Sequence, residues 1–243
     1  MNSLIDLLRQ AEGTAFTNED GIKSHLKLLA PLAEEELATI ESNLPCPLPQ
    51  DIRELLKFAC GFEGTWLEEI KFADVQDRSL GLEDVFPRGV PIAHDGLGNY
   101  WVVDLTRESQ SWGPIFYACH DAPVIVYQTD SLLHFVQEVI REGNEPWKSE
   151  IQAVWGPLSN RIWDENPGVL SFAQCAGTED NDLRAFAKTL DETWQFIDLR
   201  SPSLGDGFSW GRYGAKTLVK RFGEKRIFAY QKKSIGRRFL DAL

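Results

Sequence analysis

Three side chains able to do chemistry stand together in Cys119-His120-Asp121. A thiol nucleophile needs a base, and the base needs an acid to orient it, so the triplet raises the chemistry of a hydrolase or transferase. Adjacency argues against that chemistry. In an extended segment consecutive side chains project to opposite faces, so Cys119 and His120 are not expected to share a proton. A second constellation joins His94 and Asp95 to His120 and Asp121, a donor set that would suit zinc or manganese if two strand ends were neighbours. Its spacing matches no ligand pattern, hydrogen-bonded turns explain the same residues, and no cofactor is expected. The run Gly96-Leu97-Gly98-Asn99 lacks the third glycine and the following helix of a dinucleotide loop and leads into a strand instead.

The elements that must hold these residues are legible by periodicity. Thr17 to Leu29 carries Ile22, Leu26 and Leu29 at helical spacing behind a capping Thr17, with Asp20 three residues on, which predicts a first helix. Leu37, Ile40 and Leu44 predict a second, and Ile52, Leu55, Leu56 and Ala59 a third that starts near Pro49 and stops at Gly61. Strand-like runs follow at about 66–72, 90–93, 99–105, 114–119 and 123–127, divided by Gly, Pro, Asp and Asn as an antiparallel meander requires. In the run from Asn99 to Leu105, Trp101, Val103 and Leu105 share one face and Tyr100, Val102 and Asp104 the other. Both faces are rich in apolar side chains, so this strand should be central. A helix from Asp130 or Ser131 to Gly143 closes the unit. Beyond it a tryptophan-rich stretch is broken at Gly156-Pro157. A helix over 180–190, a strand over 194–199 and a hairpin over 217–232 turned at Gly223-Glu224 complete the chain.

The 243 residues are 43% hydrophobic and 26% charged, a packed rather than a disordered composition. The formal net charge of -12 argues against a general nucleic-acid binder. It is unevenly placed: nine Lys and Arg against two acids leave +7 from Lys216 onward and -19 on the residues before it. That basic end could be an RNA or lipid surface with Phe222, Phe228 and Tyr230 to stack, but the simpler expectation is a hairpin that pairs with the acidic part of the same chain. No run approaches the roughly 20 apolar residues of a membrane span, and the four dispersed cysteines suggest neither zinc nor a redox pair. A cytoplasmic protein without membrane contact is expected.

Four motifs fall in order: LPCPLPQDIRELLKFACGFEG, PIAHDGLGNYWVVDL, IFYACHD and SLLHFVQEVI. On them residues 33–143 resemble the SUKH superfamily, which contains the fungal Smi/Knr cell-wall-assembly regulators and many bacterial toxin-immunity proteins. The resemblance implies a single α+β domain with a mainly antiparallel sheet flanked by helices, expected over 1–145; residues 146–243 carry none of the family's motifs, and their own helix, strand and hairpin signals predict a C-terminal α+β extension of unknown role. It implies a non-enzymatic protein-binding module, of the kind that in bacteria neutralises a toxin by covering its active surface and in fungi serves as an interaction hub for envelope assembly. A basic toxin domain is the partner that the acidic balance fits. The residues expected to face it are His94, Asp95, Asn99, Asp104, His120 and Asp121.

Overall fold

The computed structural model describes residues 3–17, 23–67, 69–73, 81–145 and 148–232. The chain enters through α1 (Leu4–Ala11), whose first turn is closed by a reciprocal Ser3–Asp6 capping box. Three short strands follow: β1 (Ala15–Thr17), β2 (Lys23–His25) and β3 (Lys27–Leu28). The helix expected over Thr17–Leu29 is therefore not formed, and Asp20 lies outside the described residues. Around the fully buried Leu26, Lys23, His25 and Lys27 are exposed, an alternation of period two. Pairing of β1 with β2 and of β3 with the next strand overrides the helical spacing of a few leucines.

The expected second and third helices are α2 (Glu34–Asn43) and α3 (Gln50–Phe58). Gly61 is not the stop of α3 but the first residue of β4 (Gly61–Glu63), where an added Cβ would lie 1.8 Å from the Ile70 carbonyl oxygen. Then come β5 (Glu69–Lys71), β6 (Gly89–His94), β7 (Tyr100–Asp104), β8 (Ile115–Cys119), β9 (Val124–Thr129) and α4 (Leu132–Asn144), capped by Ser131. The tryptophan-rich stretch is not broken at Gly156-Pro157. It runs as α5 (Glu150–Ala153), a wider π-type turn over Val154–Leu158 and α6 (Ser159–Glu165). The wide turn accommodates a proline with no N–H to donate, and the Ser159 hydroxyl donates to the Val154 carbonyl at 2.5 Å. The remainder is β10 (Leu170–Ser171), α7 (Phe172–Gly177), α8 (Asn181–Ala187), β11 (Gln195–Asp198), β12 (Gly207–Phe208), β13 (Thr217–Arg221) and β14 (Ile227–Lys232).

The principal sheet has eight antiparallel strands in the order β12-β9-β8-β7-β6-β5-β4-β3, with β7 inside it as its two apolar faces predict. Trp101, Val103, Tyr117 and Val126 face Leu8 of α1, Leu55 of α3 and Phe135 and Val139 of α4. Val102, Phe116 and Ile125 face the other way, onto Ile197, Phe228 and Tyr230 of a second, four-stranded sheet, β10-β11-β14-β13. The outer side of that sheet, Phe196, Ile227 and Ala229, is covered by Cys175 of α7 and Leu183 and Phe186 of α8. The result is a mainly antiparallel α+β architecture in four layers: helices, sheet, sheet, helices. Segments before and after residue 145 share both a hydrogen-bonded sheet, through β12 on β9, and a common core.

The basic end follows from this layering. Phe228 and Tyr230 are fully buried and Phe222 stacks on Phe186 at 5.0 Å, so none of the three is free to stack on a base. Arg221 and Arg226 pair with Asp104, and Lys225 with Asp182. Lys233, Arg237 and Arg238 lie outside the described residues.

Candidate functional site

Because β6–β7 and β8–β9 are successive antiparallel hairpins, their two tips, 95–99 and 120–123, emerge at the same end of the principal sheet. The first tip is organised by one carboxylate. Asp95 Oδ1 accepts from the backbone N–H groups of Leu97 at 2.9 Å and Asn99 at 3.3 Å, and Oδ2 accepts from Asn99 Nδ2 at 2.7 Å. An aspartate closing its own turn in this way needs its neighbours in left-handed geometry, which Gly96 at φ +76° and Gly98 at φ +88° supply. Asn99, 4% exposed, passes the order onward: its Oδ1 accepts from the backbone N–H of His120 at 2.9 Å, tying the second tip to the first.

The rest of the chain fixes the tips from below. Trp155, on the π-type turn, donates its indole N–H to Asp95 Oδ2 at 2.9 Å and meets Trp66 edge-on at 6.2 Å, with Trp66 in turn edge-on to Trp101 of β7 at 6.0 Å. The helix bearing Trp155 is set by two buried acids of α4: Glu142 accepts the Ser149 hydroxyl at 2.6 Å and Glu138 accepts the Glu150 N–H at 2.7 Å. Carboxylates against exposed N–H groups at a helix start are the favourable arrangement. Trp210 donates to the Cys119 carbonyl and Gly211 to that of Pro123, so the segment after β12 grips the second tip.

On this fixed frame the outer surface carries His94, Leu97, His120 and Asp121. Leu97 is 62% exposed, one of two large apolar side chains more than a third exposed among the described residues. His120 and Asp121 expose 68% and 74% of their side chains and lie 3.3 Å apart. The imidazole of His120 packs over Gly98, where a Cβ would stand 3.6 Å from Nδ1. His94, at the end of β6, is paired in register with Tyr100 and Glu69 and borders a pocket of about 180 Å³ shared with Lys71 and Pro91.

Of the six residues the sequence singles out, five gather here: His94, His120 and Asp121 on the outside, Asp95 and Asn99 as the frame. Asp104 does not. It sits at the far end of β7 with 0% exposure, and both of its carboxylate oxygens are occupied. Arg221 reaches them at 2.7 and 2.9 Å, Arg226 Nε reaches Oδ2 at 2.7 Å, and Arg221 also donates to the Val85 carbonyl at 2.8 Å. Asp104 is thus an internal ion-pair centre rather than part of a rim, because the arginines that satisfy it arrive from 117 and 122 residues later in the chain. Leu97 is the residue that sequence reasoning passed over, although a leucine between two glycines in a polar turn is itself a visible anomaly.

The nucleophile constellation comes apart. Cys119 is buried on the helix side of the sheet beside Tyr117, while His120 lies in solvent at the tip. Burial pushes the Tyr117 hydroxyl far above the ordinary phenol range, as befits an apolar surrounding. Among the described residues no group of three or more His, Cys, Asp or Glu side chains is gathered to hold a metal ion, and no helix is long and apolar enough to cross a membrane.

An antiparallel sheet backed by helices, presenting a hydrogen-bonded hairpin end, makes this part of the chain a mainly antiparallel α+β unit. Residues 31–138 match the model of the SMI1 / KNR4 family (SUKH-1). The match includes both hairpin tips and Asp104; Trp155, Arg221 and Arg226, which fix them, lie beyond it. No curated protein matches the chain.

Proposed function

We propose that the protein is a non-enzymatic binding module that engages a protein partner through the paired hairpin tips, with Leu97 as the apolar anchor and His94, His120 and Asp121 around it. Asp95 and Asn99 hold the backbone that presents them. The observation that carries the reading is the conjunction of a large exposed apolar side chain, Leu97, with a turn held by hydrogen bonds from Leu97, Asn99 and Trp155 to Asp95. Interface anchors gain affinity when their cost of ordering has been met before the partner arrives. A flexible loop would not have that property.

The partner class follows from charge. With a formal net charge of -12 on the chain, a basic surface is drawn in by long-range steering, and a basic toxin whose active face holds nucleic acid or another polyanion presents one. The role is then that of an immunity protein, blocking by occlusion. Co-expression with the products of the genes neighbouring its own, followed by affinity capture, tests the reading, and recovery of no toxin would overturn the immunity role. Leu97→Asp is expected to weaken the captured complex by at least tenfold and to abolish protection of toxin-expressing cells, with thermal stability unchanged. A complex that tolerates both Leu97→Asp and the double change His120→Ala with Asp121→Lys would show that the tips are not the contact.

A further inference from the structure

At the opposite end of the principal sheet, where β7 and β9 finish rather than begin, the helical layer leaves a groove of about 510 Å³ between α1, α3, the residues before β8 and the start of α4. Its floor is Ile52, Leu55, Trp112 and Leu132, all buried, and its walls include the half-buried Leu4, Ile5 and Leu133. The rim is acidic: Asp51, Glu54 and Asp130 are exposed along it, and no Lys or Arg among the described residues lines the groove. The basic residues of α3 are engaged elsewhere, Arg53 with Glu34 and Glu41 and Lys57 with Glu34.

From this placement we infer a second docking site, for an amphipathic helix that is basic on its polar face, supplied by another protein. Apolar side chains at i, i+3, i+4 and i+7 suit an open trough walled by helices, which is how amphipathic helices are taken up in grooves. The three carboxylates select the flanking charge: lysines or arginines on the outer face meet them, and an acidic helix is repelled. The inference does not rest on the hairpin-tip reading, since the two surfaces lie at opposite ends of the sheet.

A labelled peptide of leucine and lysine, with the leucines on one helical face, is the probe, titrated into the full chain by fluorescence anisotropy. An isomer of identical composition with the leucines scattered, and a third peptide with glutamate for lysine, are the controls. The amphipathic basic peptide is expected to bind at least tenfold tighter than either. Charge reversal at the rim, Asp51→Lys with Glu54→Lys and Asp130→Lys, should cost tenfold or more, and rising salt should weaken the wild-type complex. Hydrogen exchange should slow on α1 and α3 when the peptide is bound. Equal binding of the scattered isomer would reduce the effect to bulk charge and overturn the groove. So would insensitivity to the rim reversal, or loss of peptide binding in Leu97→Asp, which would place the peptide at the hairpin tips instead.

Discussion

Asp95 and Asp104 stand at the two ends of the same hairpin, one in its glycine-rich tip and the other as the last residue of β7, and meet opposite fates. Asp95 spends its oxygens on its own loop and on one indole, and the surface above it stays open. Asp104 is sealed beneath two arginines from the last hairpin of the described chain. The lesson is that an aspartate flanking a glycine-rich turn can be read locally when its partners are two to four residues away. It cannot be read when they come from another layer.

The comparison breaks most completely if the second sheet is removed. A chain ended at residue 145 uncovers Val102, Phe116 and Ile125, each fully buried. At about 1.5–3 kcal/mol for each large side chain returned to water, that loss rivals the roughly 5–15 kcal/mol by which domains are stable. Such a truncation is expected to give no cooperative unfolding transition and to aggregate; a soluble, cooperatively melting fragment would show that the second sheet is dispensable.

Next in size is Asp104→Ala. It strands Arg221, whose side chain is 4% exposed, and a buried charge left unpaired costs on the order of 3–5 kcal/mol. Urea denaturation measures it. Replacing both partners, Asp104→Leu with Arg221→Met, should recover most of the loss, because removal of a whole buried pair is far less costly than removal of half of it. If the double variant is no better than the single, Arg226 and the backbone contacts dominate the cluster.

Asp95→Ala should cost less, about 1–3 kcal/mol, because the freed N–H groups of the turn can turn to water while the Trp155 indole loses its acceptor. Hydrogen exchange would separate the two aspartates. The Asp95 variant should speed exchange at Leu97 and Asn99 alone, and the Asp104 variant should speed it across both sheets.

A third carboxylate group, around Arg200, sharpens the contrast by being exposed enough to titrate. Hydrogen bonds from Arg200, then the Leu183 N–H, hold the Asp180 carboxyl down at about 2, below the usual value of about 3.9. Depression in the folded state means the interaction contributes in full above the unfolded value and fades as pH falls towards 2. Melting followed from pH 5 to pH 2 should therefore lose stability steeply over the lower part of that range, and Arg200→Gln should flatten the slope. An unchanged slope would move the acid sensitivity to other groups.

Much of the principal sheet is legible in the sequence. Apolar side chains on both faces of the segment from Tyr100 to Asp104 predict its interior position, and the glycines around Leu97 predict the tip. The early strands are not legible, since a three-residue strand has no period of its own to set against the leucines at 26 and 29. Pro157 was equally opaque, because a proline breaks an ordinary helical turn but not a widened one. At the candidate site the turn-forming roles of Asp95 and Asn99 are written locally, whereas Trp155 beneath them and the arginines over Asp104 depend on contacts 60 to 122 residues apart. No spacing rule reaches that far.

The strand β12, two residues on the edge of β9, has a temporal consequence. Synthesis delivers the chain from its first residue, so the meander from β6 to β9 emerges well before Gly207 and longer still before Phe228 and Tyr230. During that interval one face of the nascent sheet and its β9 edge stand uncovered, the condition in which strands recruit neighbours from other chains. The interval closes when the final hairpin is made, and a ribosome-bound nascent chain should be most exposed to chaperones just before it.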